Sequence, residues 1–226
     1  MTGNTTTSEL LLPSMSMGPS ANLMNGHGPG AEATVDRRNQ GFEFSSEQEA
    51  LFQEQQTLDI VKELSESPDW YEVKAYGHMS PEAHDVSLTA STLRGDDKIA
   101  LRPLKFFNKE KTECIVVLHL GRKLCGHAGI IHGGMLGTLL DEHLAYVSLP
   151  NLPNYTGFTA NLSVDYRKPC KAGQWVVIRG KLDRVEGRKA YSNARIESAL
   201  DGTLLTEASA LYISPRMPAN TTSTAP

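Results

Sequence analysis

The stretch Ile131-His132-Gly133-Gly134-Met135-Leu136-Gly137-Thr138-Leu139-Leu140-Asp141-Glu142 decides how this chain is read. Two glycines behind a histidine open a helix that the pattern carries to about Ser148, with prolines at 150 and 153 beyond its end. A helix start holds N–H groups without intrahelical partners and the positive end of the helix dipole. Glycine there leaves no Cβ between the backbone and an approaching group, which suits a carbonyl oxygen that must become an oxyanion. Asp141 lies two turns inside a helix that is otherwise apolar at Met135, Leu136, Leu139 and Leu140. A carboxylate so placed suits a general base or a nucleophile.

On the C-terminal side, four strand-like runs follow. Phe158 to Arg167 alternates, with Ala160, Leu162, Val164 and Tyr166 on one face and Thr159, Asn161, Ser163 and Asp165 on the other. Trp175 to Val185 and Ala190 to Leu200 are joined by Glu186-Gly187-Arg188-Lys189. Asp201-Gly202 is a hairpin turn leading into Leu204 to Ser214. On the N-terminal side, Ile99 to Phe107 and Glu113 to Leu120 read as strands, and a glycine-rich link, Gly121 to Ile131, leads into the helix. Two strands, a helix and four strands describe an α+β arrangement, one antiparallel sheet wrapped around one long helix.

Upstream, residues 1–45 are rich in small and polar residues without periodicity, so disorder is expected there, and residues 217–226 read the same way. Ser46-Glu47-Gln48-Glu49 is a capping box, followed by Leu51, Leu58, Val61 and Leu64 at helical spacing. Ser67-Pro68 should end this helix, because the residue before proline avoids the helical region. The expected organisation is a tail (1–45), a helical arm with an irregular segment from 68 on (46–98), the main domain (99–216) and a second tail (217–226).

The 22 Lys and Arg against 26 Asp and Glu give a formal charge of −4 over 226 residues, and no basic excess points to nucleic acid. No apolar run approaches the ~20 residues of a membrane helix. The chain does not open on a charged start and an apolar stretch, so an intracellular protein, cytoplasmic or mitochondrial and not secreted, is expected. The triplets at Asn4 and Asn220 are then chance matches to glycosylation sites. Cys114, Cys125 and Cys170 are odd in number and widely spaced, which fits a reducing compartment. Cys125, His127, His132 and His143 offer thiol and imidazole ligands for zinc, but without a paired Cys-x-x-Cys no metal or other cofactor is expected.

His132-Gly133-Gly134 with Asp141, Thr159-Ala160-Asn161-Leu162 through Tyr166-Arg167-Lys168-Pro169, and Val185-Glu186-Gly187-Arg188-Lys189 together resemble the thioesterase-superfamily-member branch of hotdog-fold acyl-CoA thioesterases, over residues 99–216. The resemblance implies hydrolysis of an acyl-CoA, here expected to be medium- to long-chain, to free acid and CoA. It places the family acid on Asp141, leaving Glu142, about 100° away around the helix, as a surface residue or ion-pair partner. It also implies that Thr159 contributes to the site and that Asp165, Arg167 and the Arg188 region meet the substrate; Asn161, on the strand face of Thr159, is expected to join them. Lys168 and Lys189 beside the two arginines could meet the CoA phosphates, for which arginine offers a bidentate fork. His132 before the glycines suits an orienting role, with Gly133 lining the substrate site and the Gly134 N–H polarising the carbonyl.

Asp141 lies seven residues beyond Gly134, ~10 Å along a helix axis, while a base must sit within ~3 Å of its target or act through one water. One helix therefore does not serve one thioester with both groups, and a homodimer or dimer of dimers with composite sites is expected. Two alternatives stay open: a hotdog hydratase or dehydratase, and a non-catalytic acyl-CoA sensor.

Overall fold

The computed structural model describes residues 43–216. The two tails, with Asn4 and Asn220, lie outside them apart from the last few residues of the first. The long helix, α4 (Gly133–Ser148), buries Leu136, Leu140, Leu144 and Val147. It lies on one face of a seven-stranded antiparallel sheet ordered β1-β2-β3-β7-β8-β9-β6. These strands are β1 (Trp70–Glu72), β2 (Leu104–Asn108), β3 (Glu113–Leu120), β6 (Phe158–Tyr166), β7 (Gln174–Glu186), β8 (Lys189–Ser198) and β9 (Leu204–Ile213). A small hairpin, β4 (Cys125–His127) and β5 (Ile130–Ile131), leads into α4. The main core lies between α4 and the sheet, with Leu118, Ile178, Ile196 and Tyr212 facing the helix leucines. Every buried strand face thus finds an apolar partner.

The outer face is covered over β2, β3 and β7 by α1 (Ser46–Thr57) and α2 (Asp59–Glu66), whose Leu51, Val61 and Leu64 meet Phe106, Ile115, Val117, Trp175 and Val177. The cap is Ser45 rather than Ser46: its hydroxyl accepts from the Gln48 N–H, and the Gln48 side chain reaches back to the Ser45 N–H. Glu47 accepts from the Asp97 N–H, at 3.0 and 3.2 Å. The expected single arm helix breaks at Leu58, which is extended (φ −64°, ψ 124°). The Thr57 hydroxyl donates to the Glu54 carbonyl there (2.7 Å), a side-chain bond that competes with helix continuation.

Two strand expectations change. Ile99–Phe107 is a strand only from Leu104, because Pro103 has no N–H for a ladder. The preceding carbonyls go to side chains instead, Ala100 to Gln48 (3.0 Å) and Leu101 to Arg94. The segment from residue 68, expected to be irregular, contributes β1 to the main sheet, a helix α3 (Pro81–Asp85) and a single π turn (Leu88–Thr92). Three residues of strand are too short to show a period.

The β6 strand forms one edge, paired only with β9 among the described strands, and its register slips at Ala160. Thr159 opposes Tyr212 and Asn161 opposes Leu211, so one extra residue sits between them, a β-bulge. This overturns the regular alternation expected of the strand. Tyr212, Ala210, Ala208 and Thr206 form the buried, helix-facing side of β9. Thr159, Leu162, Val164 and Tyr166 oppose them and face the helix, whereas Asn161, Ser163 and Asp165 face outward.

Candidate active site

Asp141 is half-buried on the open side of α4. Its Oδ1 accepts from the Thr159 hydroxyl at 2.8 Å and from the Tyr212 hydroxyl at 2.9 Å. The Tyr212 hydroxyl also reaches the main-chain oxygen of Asp141 at 2.5 Å. Tyr212 sits in phase with Ala208 and Ala210, two small residues that leave room for its ring beneath the helix. The sequence reading passes over it; a lone tyrosine in phase with two alanines is the signal that could have found it. Burial, more than the neighbouring carboxylate, pushes its phenol far above the ordinary value, so it remains a proton donor.

At the other end, the helix start differs from the bare terminus expected. His132 is the N-cap, and its Nδ1 accepts from the Gly134 N–H at 2.9 Å. An acceptor side chain at this position takes an otherwise unpartnered N–H, as serine or aspartate does. In the neutral imidazole the proton must then sit on Nε2. Gly134 is thus capped, and the N–H left without an acceptor among the described residues is that of Gly133. The Tyr166 hydroxyl donates to the Gly133 carbonyl at 2.8 Å. The imidazole packs on Gly126, where a Cβ would lie 2.8 Å from the ring. β6 therefore runs along the helix, meeting Asp141 through Thr159 and the glycine start through Tyr166.

The basic residues are not brought together within one chain. Arg167 and Lys168 follow β6 near the helix start, whereas Arg188 and Lys189 lie at the β7–β8 turn, where Lys189 opposes Ile213 and Ile213 opposes Phe158. Arg167 pairs with Glu207 (2.6 Å) and lies 3.7 Å from Asp165. Arg188 donates to the Ser214 carbonyl. Asn161 and Asp165 lie on the sheet face away from Asp141.

Glu142 is not a surface residue. It accepts from the Tyr146 hydroxyl and, with Tyr76, Lys105 and His143, lines a cavity of about 20 Å³ on the far side of α4 from Asp141, room for about one water. Lys105 lies over the Tyr146 ring at 4.1 Å, and burial holds its ammonium below the usual lysine range. His143 is fully buried, with Nε2 3.0 Å from the Cys114 carbonyl. The three cysteines are free. No group of three or more His, Cys, Asp or Glu among the described residues is placed to hold a metal ion. No helix among them is long and apolar enough to cross a membrane.

This fold and site define a class, and the comparisons agree with it: residues 128–204 match the family model of the thioesterase superfamily. The chain belongs to that superfamily. An uncharacterized protein of Schizosaccharomyces pombe is 30% identical over 66% of this chain and 89% of its own length. Acyl-coenzyme A thioesterase THEM4 of Xenopus laevis is 33% identical over 52% of each chain. A mitochondrial uncharacterized protein of Candida albicans is 29% identical over 66% of this chain and 67% of its own length. The chain thus spans about two thirds of one of these relatives and about half of another. A crystal structure of a thioesterase superfamily protein is 25% identical over 50% of this chain and 56% of that chain, at a TM-score of 0.45.

Proposed function

We propose that the protein is an acyl-CoA thioesterase that hydrolyses a medium- to long-chain acyl-CoA to the free acid and CoA at composite sites of a homodimer. The observation that carries the reading is the splitting of the machinery between two ends of one helix and one edge strand. Asp141, Thr159 and Arg188 lie toward one end, and the glycine start and Arg167 toward the other. Two copies joined antiparallel along the unpaired edge of β6 would set each half beside its complement. The open helix face bearing Gly134, Thr138 and Asp141 is then the floor shared by both sites.

In this arrangement the thioester oxygen meets the Gly133 N–H and, once the imidazole yields it, the Gly134 N–H. Asp141 of the other copy acts as general base on water, or attacks the carbonyl carbon to form an anhydride that water then opens. Either route ends with CoA leaving as the thiol. Arg167, Lys168, Arg188 and Lys189 receive the phosphates, and Gly133 borders the substrate, whereas Asn161 and Asp165, on the outer sheet face, take no part. The helices α1 and α2 act as an arm on the main domain, which takes in β1 as well as residues 99–216. The name of the Candida albicans relative supports the mitochondrial option for its location.

The test is thiol release from palmitoyl-CoA and shorter acyl-CoAs. Turnover is expected, and Asp141→Asn should lower kcat by about a hundredfold or more. Tight binding without turnover would replace this reading with the sensor, and water addition to an enoyl-CoA with the hydratase.

A further inference from the structure

The thioesterase reading leaves a physical question: what holds a carboxylate on an open helix face in one orientation? We propose that Tyr212 is a positioning residue that, with Thr159, anchors Asp141 through Oδ1 and leaves Oδ2 as the oxygen that meets water or the thioester carbon. This rests on the reading of the site given above.

The final torsion of an aspartate is broad and two-fold, so an unrestrained carboxylate presents either oxygen. Here the two are made unequal. Oδ1 takes both hydroxyls, at 2.8 and 2.9 Å, and no group among the described residues bonds Oδ2. The Tyr212 ring is 2% exposed, so its hydroxyl cannot swing out to solvent. The same hydroxyl spans Oδ1 and the main-chain oxygen of Asp141, tying the side chain to its own helix turn. The second anchor depends on the bulge at Ala160, since uninterrupted alternation would turn Thr159 to the outer face. Donors on β9 and β6 thus approach one oxygen from neighbouring strands and exclude it from the reaction.

The test compares Tyr212→Phe, which keeps the ring, with wild type, Asp141→Asn and the double variant. Tyr212→Phe is expected to lower kcat by about tenfold to a hundredfold with KM within about twofold, the pattern of a misplaced reacting group. In the Asp141→Asn background it should change the residual rate by less than about twofold. An unchanged kcat, or an equal loss in both backgrounds, overturns the proposal and leaves Tyr212 as packing. If wild type hydrolyses no acyl-CoA, the reading of the site falls, and a crystal structure of Tyr212→Phe decides the positioning alone. A carboxylate rotated off Thr159 supports it, and an unmoved one overturns it.

Discussion

Asp141 and His143 are two residues apart on one helix, and their surroundings set opposite chemistry. Asp141 keeps solvent on one side and two hydroxyls on the other. His143 faces the sheet with one nitrogen on the Cys114 carbonyl and Nδ1 without a partner among the described residues. Burial, partly offset by that carbonyl, pushes its imidazole from 6.5 down to about 3. The unfolded chain takes up this proton near pH 6.5 and the folded protein only near 3, so acid favours unfolding across that window. At about 1.4 kcal/mol per pH unit, moving from pH 7 to 5.5 should cost roughly 1 kcal/mol through this residue. Thermal melts should show the decline, and His143→Gln, which keeps a donor for Cys114, should flatten it.

Between elements, the docking of α4 on the sheet depends on the lack of a side chain at one point of β7. A Cβ at Gly180 would lie 2.5 Å from His143 Cδ2 and 2.6 Å from Nε2. The ring is held to the Cys114 carbonyl and cannot give way without lifting the helix. Gly180→Ala should therefore destabilise the fold by about 2 kcal/mol or more, as overpacking does, which denaturant titration would read. Because the same lift would draw Asp141 from Thr159 and Tyr212, activity per folded molecule should fall as well.

For the whole molecule, the decisive length is the ~10 Å between Gly134 and Asp141 along a continuous α4. Composite sites predict complementation. Asp141→Asn, and Gly133→Pro, which removes the free N–H at the first helical position, where proline is tolerated, should each be inactive alone. Verified heterodimers of the two carry one intact site of two and should recover about half of the wild-type rate per dimer. No recovery in such heterodimers would rule out sites shared between copies.

Periodicity and end signals sufficed for α4, β3, β7, β8 and β9 to within about two residues, because each buries a long face with a regular repeat. They also placed Asp141 and the glycine start on one helix, since spacing along a helix is a local property. They did not reveal the three-residue β1, the break at Leu58, or the late start of β2 after Pro103, where side chains from elsewhere in the chain satisfy the preceding carbonyls. Nor did they reveal what surrounds the acid. The bulge at Ala160, the inward turn of Thr159 and the hydroxyl of Tyr212 arise from register and packing between segments up to 71 residues apart. The sequence by itself determined which groups the chain carries and on which elements. Only the tertiary structure decided which way they face, because a one-residue slip in a strand reverses its faces without altering its composition.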